Sequence, residues 1–223
     1  MSTGILYIVA TPIGNLEDIT LRAVRTLQEA DLVACEDTRV TWKLLDHYGI
    51  KKTVISYFQH SKLAKISQIM EIIKTGRNVV LVTDAGTPGI SDPGNKLVEE
   101  AINNDIAVIP IPGPSGLTTL ASVAGIDMQR FTFLGFPPHK KGRETFFKEV
   151  AASKYPVIYY DSVHRVIKNL ELLNSLDSGK NIILGRELTK MFEEIVRGNV
   201  EEVLKYFEKN KGKIKGEFVI IVH

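Results

Sequence analysis

Residues 79–94, VVLVTDAGTPGISDPG, decide how the chain is read. Val79, Val80, Leu81 and Val82 run without a break into Thr83 and Asp84, the pattern of a strand buried on both faces. Three glycines and two prolines then follow within nine residues, Gly86 to Gly94, which no helix or strand interior tolerates. A buried strand therefore ends in a loop that carries an acid. In open parallel sheets ligands bind just beyond the carboxyl ends of the strands, and Asp84 stands at such an end. The loop is read as launching a helix. Asp92 suits the N-cap, Pro93 the first helical position, and Leu97, Val98, Ala101 and Ile102 follow at helical spacing.

The same strand, loop and helix unit recurs on either side. Upstream, Leu6 to Val9 reads as a buried strand, followed by the loop Thr11-Pro12-Ile13-Gly14-Asn15, which lacks the spacing of a dinucleotide fingerprint. Asp18 or Thr20 caps a helix with Leu21, Val24 and Leu27 inward. Leu32 to Cys35 is a second strand that ends in the charged run Glu36-Asp37-Thr38-Arg39. Asp37 or Thr38 suits the cap of a helix holding Trp42, Leu44 and Leu45, with Trp42 expected in core or interface. A strand at 54–57 leads past His60 into a helix with Ile66, Ile69, Met70 and Ile73 on one face. Downstream, a strand at 106–109 runs into Pro110-Ile111-Pro112-Gly113-Pro114-Ser115-Gly116, which reads as a domain boundary. Alternating units of this kind make a parallel sheet with helices on its faces.

Beyond the boundary the pattern predicts a helix at 117–124, a strand at 131–136 and a basic loop holding Lys140, Lys141 and Arg143. A strand at 157–160 is expected to end at Asp161 and Ser162, capping a helix with Val163, Val166, Ile167, Leu170 and Leu173 inward. A strand at 182–184 precedes the polar run Gly185-Arg186-Glu187-Leu188-Thr189-Lys190. A helix built on Val200, Val203, Leu204 and Phe207 and a last strand at 218–222 follow. The expected organisation is two α/β domains, 1–112 and 113–223.

Composition narrows the class. The chain has 223 residues, is 44% hydrophobic and has no apolar run near the roughly 18 residues of a membrane helix, so a soluble cytoplasmic protein is expected. One cysteine, Cys35, inside an apolar run, gives neither a disulfide nor a zinc framework. Up to Pro112 there are 11 Lys/Arg against 13 Asp/Glu, and from Gly113 onward 17 against 13. The second half therefore suits a polyanionic partner without requiring one. No nucleophile elbow, Walker loop or metalloprotease signature is present. What remains is a set of polar, glycine-rich strand ends, 11–15, 36–39, 84–94, 112–116 and 185–190, expected to line an interdomain cleft. Gly86, Gly89, Gly113 and Gly116 let main chain approach a bound molecule, which suits a cofactor read by backbone groups.

Together 6–20, 36–39, 83–94, 112–116, 133–138 and 186–190 resemble the ribosomal small-subunit RNA methyltransferase I family of the tetrapyrrole methylase superfamily. The resemblance implies a parallel-sheet N-terminal domain, a mixed-sheet C-terminal domain and S-adenosyl-L-methionine in the cleft between them. It also implies a homodimer and 2′-O-methylation of a cytidine ribose in small-subunit (16S) ribosomal RNA, within the assembled subunit. Carried over residue by residue, the cofactor contacts are Gly14, Asp84, Thr87, Ser115, Gly116, Tyr160, Asp161 and Leu188. Asp37, Glu36 and His60, in that order, are the candidate bases, and no metal is expected. Arg39, Lys140, Lys141 and Arg143 would orient RNA phosphates. The alternatives are a methylase of a tetrapyrrole-like small molecule and a non-catalytic protein that binds the cofactor or RNA. The chain departs from the family at Phe58 and Ser61, where relatives commonly carry His and Asn. It also ends at His223, where many relatives continue with a helical segment.

Overall fold

The computed structural model describes residues 3–57, 63–176 and 179–223, and the chain divides into two compact units, Met1–Ser115 and Gly116–His223. In the first, β1 (Leu6–Val9), β2 (Leu32–Cys35), β3 (Thr53–Ser56), β4 (Val79–Leu81) and β5 (Val108–Ile111) form an all-parallel sheet in the order β3-β2-β4-β1-β5. Its helices are α1 (Leu21–Glu29), α2 (Thr38–His47), α3 (Leu63–Lys74) and α4 (Asn95–Asn103). The connections through α1 and α2 run one way across the sheet, and those through α3 and α4 run back. Crossovers of one hand must then put the two pairs on opposite faces.

The two cores show this. Leu32, Ala34, Val79 and Leu81 pack with Ile66, Ile69, Met70 and Ile73 of α3 and Leu97 and Ala101 of α4. Their alternates Val33, Cys35, Val80 and Val82 pack with Ala23 and Leu27 of α1 and Leu45 of α2. A strand buried on both faces has no polar alternate, which is why VVLV and LVAC are continuous apolar runs.

Several expectations need correction. Helix α4 starts at Asn95 behind Gly94, so Asp92 and Pro93 remain in the loop ahead of the N-cap position. Leu21 is 90% exposed, because it opens α1 directly after the Thr20 cap, ahead of the first turn that reaches the sheet. Trp42, expected in core or interface, is 41% exposed and so outside the core, since α2 turns Thr41, Leu44 and Leu45 inward instead. Pro110 lies inside β5, where it is tolerated because β5 is an edge strand with one side unpaired.

The second unit holds α5 (Gly116–Ser122), β6 (Thr132–Phe133), α6 (Arg143–Ala152), β7 (Val157–Ser162) and α7 (Val166–Ser175), then β8 (Asn181–Arg186), β9 (Glu194–Asn199), α8 (Val200–Lys209) and β10 (Glu217–Val222). Its sheet runs β6-β7-β10-β8-β9 and is mixed: β6 pairs parallel with β7, and the other pairs are antiparallel. Phe147 of α6, Leu170 and Leu173 of α7, and Val203 and Phe207 of α8 cover Tyr159, Leu184, Phe218 and Ile220 on one face. On the other face α5 approaches β10 so closely that a Cβ on Gly116 would stand 3.2 Å from the Val219 side chain.

Here β7 extends through Asp161 and Ser162, so neither residue caps α7, whose N-cap position is Arg165. Strand β6 has two residues, not the six expected at 131–136. Strand β9 escaped the sequence reading because an edge strand exposes alternate residues and carries Glu194, Arg197 and Asn199 in place of an apolar run. Replacing Ile73, fully buried between α3 and the sheet, by alanine should cost about 2–5 kcal/mol of stability in urea denaturation, with the fold retained.

Candidate active site

Because every strand of the first unit is parallel, all their carboxyl ends lie on one edge. The chain leaves β4 toward the face of α4, whereas from the neighbours β1 and β2 it leaves toward the face of α1 and α2. That divergence opens a crevice at the end of β4, beside Asp84.

The loops along this edge are tied to one another. Thr11 N–H donates to the Gly86 carbonyl at 2.9 Å and Gly86 N–H to the Thr11 carbonyl at 3.0 Å. Gly86 sits at φ +80°, a conformation in which a side chain would be strained. The Thr11 hydroxyl donates to the Thr83 carbonyl at 3.1 Å, and the Thr83 hydroxyl donates to Glu36 Oε2 at 3.0 Å. Asp37 N–H donates to Asp84 Oδ1 at 3.0 Å. Glu36, Asp37 and Asp84 thus meet on adjacent strand ends. A Cβ on Gly113 would come 3.0 Å from Ala10 Cβ, a tight contact that glycine avoids where the chain after β5 passes the end of β1.

The three carboxylates are not equivalent. Asp37 caps α2 by accepting from Arg39 N–H at 2.8 Å and grips the Arg39 guanidinium, with the shortest contact at 2.6 Å. The side-chain and backbone hydrogen bonds from Arg39 hold the Asp37 carboxyl down at about 2. A carboxylate so stabilised holds its charge and is a weak proton acceptor. Arg39 is paired with Asp37, so its positive charge is partly offset. Partial desolvation pushes Asp84 up, against the Asp37 N–H bond that pulls it down. Glu36 is oriented by Thr83, itself 3% exposed. Thr83 and Thr11 were missed from sequence, where a threonine at a strand end has no distinctive signal. Gly14 is exposed in the loop after β1, Thr87 accepts from Ile90 N–H in the loop after β4, and Ser115 ends the unit. His60 lies outside the described residues.

In the second unit the predicted residues separate by face. Asp161 is 2% exposed and turned into the helix-covered core, where it accepts from Ser162 N–H at 2.8 Å and Asn169 Nδ2 at 2.7 Å. Burial raises its carboxyl above the ordinary value despite those bonds. Tyr160, on the opposite face, stands beside Gly116 and edge-on to Phe133. Leu188 is 6% exposed and packs on Gly185, whose Cβ would meet its side chain at 3.0 Å. It is bracketed by Glu187 and Thr189, both at positive φ. Lys140 and Lys141 are exposed, and Arg143, at the start of α6, is half-buried and close enough to influence Asp161. Among the described residues no cluster of His, Cys, Asp and Glu could hold a metal, and no helix is long and apolar enough to cross a membrane.

A parallel α/β unit with an acid-bearing, glycine-lined carboxyl edge, followed by a mixed-sheet unit, is the architecture of one class of methyltransferases. The solved structure of diphthine synthase shares the fold, with a TM-score of 0.77 at 16% identity over 98% of this chain and 89% of that one. Residues 5–204 match the family described as Tetrapyrrole (Corrin/Porphyrin) Methylases. The chain is 44% identical over 220 residues to "Ribosomal RNA small subunit methyltransferase I" of Halalkalibacterium halodurans, covering 98% of this chain and 75% of the relative. It is also 44% identical over 219 residues to the protein of that name from Hydrogenobaculum sp., covering 97% and 94%. The chain belongs to the ribosomal RNA small subunit methyltransferase I family, within the tetrapyrrole methylases. It is accordingly a methyltransferase that uses S-adenosyl-L-methionine. The residues present suit that donor: exposed Asp84 and exposed Gly113 offer a carboxylate and open main chain to its ammonium, hydroxyl and sulfonium groups.

The buried Asp161 sets a pH dependence. A carboxyl whose pKa is raised by folding binds the extra proton in the native state, so stability falls as pH rises from about 4 through the raised value. Asp161→Asn should remove that part of the slope in denaturation curves recorded across this pH range.

Proposed function

We propose that the chain transfers the methyl group of S-adenosyl-L-methionine to the ribose 2′-oxygen of a cytidine in small-subunit (16S) ribosomal RNA. The observation that carries this reading is 44% identity over nearly the whole chain to relatives of that name. The carboxylate cluster at the ends of β2 and β4 supports it.

When bound, the donor supplies a methyl group on a sulfonium centre. Asp84, Thr87, Ser115 and the main chain at Gly14 and Gly113 are the groups of the first unit that would hold it. In the second unit Asp161 fixes the end of β7 through Ser162 and Asn169. The remaining work is positioning, since an in-line displacement needs the attacking oxygen aligned with the methyl carbon. A neutral ribose hydroxyl is a poor nucleophile, so a carboxylate within hydrogen-bond reach takes its proton as the bond forms. Glu36, held by the Thr83 hydroxyl, is the group assigned to that step. Asp37 keeps Arg39 in place and caps α2. Lys140, Lys141 and Arg143 meet the RNA phosphates, with Arg39 a weaker contributor. The chain acts as a homodimer in the cytoplasm.

Incubation with methyl-labelled donor and small ribosomal subunits from a strain lacking the activity should place label on one cytidine ribose. Unlabelled RNA would sink the proposal. Glu36→Gln should lower kcat by about 10²- to 10⁴-fold with donor affinity kept. Asp84→Ala should chiefly raise the donor's Kd, and Asp37→Asn should slow transfer less than Glu36→Gln. Isothermal titration with the donor and single-turnover rates separate these effects.

A further inference from the structure

The second unit carries an exposed aromatic ring, Phe136, just ahead of the basic loop. Phe136 is 50% exposed, yet bonds and ring contacts hold the chain on either side of it. Just before it, Gly135 at φ +65° turns the chain out of the sheet, while its carbonyl accepts from Tyr160 N–H at 2.9 Å. Just after it, buried Pro137 is clamped by Arg165, whose Nη1 donates to the Pro137 carbonyl at 2.8 Å. Ring contacts support it from below. Phe136 leans on Tyr160 at 5.4 Å between centroids, and Tyr160 meets Phe133 at 5.1 Å. A large apolar ring kept half in solvent by a glycine turn and an arginine clamp presents a ready-made face.

Its neighbourhood says what that face meets. Four and five residues on come Lys140 and Lys141, both exposed and without an ion pair among the described residues. The unit as a whole has 17 Lys/Arg against 13 Asp/Glu. An apolar protein segment would use the ring but leave the cations idle. A single-stranded polynucleotide uses both, through a base on the aromatic face and phosphates on the lysines.

We propose that Phe136, backed by Tyr160 and Phe133, is a stacking platform for one unpaired base of the RNA, next to phosphates held by Lys140 and Lys141. The inference rests on the RNA-methylation reading and names a binding residue for it. Stacking carries no base identity, so the platform orders the strand and leaves the choice of nucleotide to other contacts.

Two measurements test this. In steady-state transfer to small subunits, Phe136→Ala should raise KM for the subunit by about 5- to 150-fold, the range alanine substitution at stacking residues produces. Donor Kd should stay within about twofold, the size of effect expected of a surface substitution away from the donor. Phe136→Tyr should restore KM and Phe136→Leu should not. An unchanged KM, equal rescue by leucine, or a parallel loss of donor affinity would each overturn the platform. Because Trp42 is the only tryptophan, Phe136→Trp combined with Trp42→Phe places a single indole at the site. Its emission should be quenched by a single-stranded oligoribonucleotide and not by inorganic phosphate. Absence of quenching by RNA overturns the inference. Quenching by RNA alongside a wild-type protein that transfers no label to subunits would keep the platform and remove the proposed function instead.

Discussion

A parallel sheet puts the carboxyl end of every strand on one edge, and the first unit depends on that constraint. Strand ends bring polar backbone and side chains to the same line, and they must be bonded to something. Here they bond to each other. Thr11 and Gly86 pair their amides, Thr83 gives its hydroxyl to Glu36, and Asp37 gives its amide to Asp84. The strand order makes these pairs adjacent, because β4 lies between β2 and β1. A site assembled in this way is fixed by the same bonds that end the strands.

The edge also explains why neighbouring acids differ in character. Asp37 and Glu36 are consecutive, and a strand end turning into a helix points them differently. Asp37 falls at the N-cap, where the first turn of α2 and Arg39 stabilise its charge. Glu36 is directed back along the sheet to Thr83. Asp84 receives one backbone donor and loses part of its hydration. Charge, orientation and solvation are thus divided among three carboxylates on two adjacent strand ends. In the second unit burial does the sorting: alternation along β7 sends Asp161 into the core and Tyr160 to the opposite face.

Much of the fold could be read in the chain because two-sided burial leaves a plain mark. VVLV, LVAC and the apolar stripes of α3 and α8 depend only on which residues face a core. Glycines 86 and 113 could likewise be singled out, since a turn and a close approach favour them. Helix starts were less legible. Asp92 and Asp161 both look like caps, yet the chain at Asp92 is still inside a loop and at Asp161 still inside a strand. Capping depends on where the backbone first becomes helical, and neighbouring strands decide that.

Sequence by itself determined the two α/β halves, the resemblance to a methyltransferase family, and the glycine-rich acid loop after β4. Each follows from local periodicity or from a contiguous motif. Only the tertiary structure decided which carboxylate is paired with Arg39 and which is held by Thr83, because those partners lie on different strands or share a helix cap. The same is true of the exposure of Phe136 and the burial of Asp161. Both depend on packing across a sheet, between residues far apart in the chain, and no single stretch of sequence encodes it.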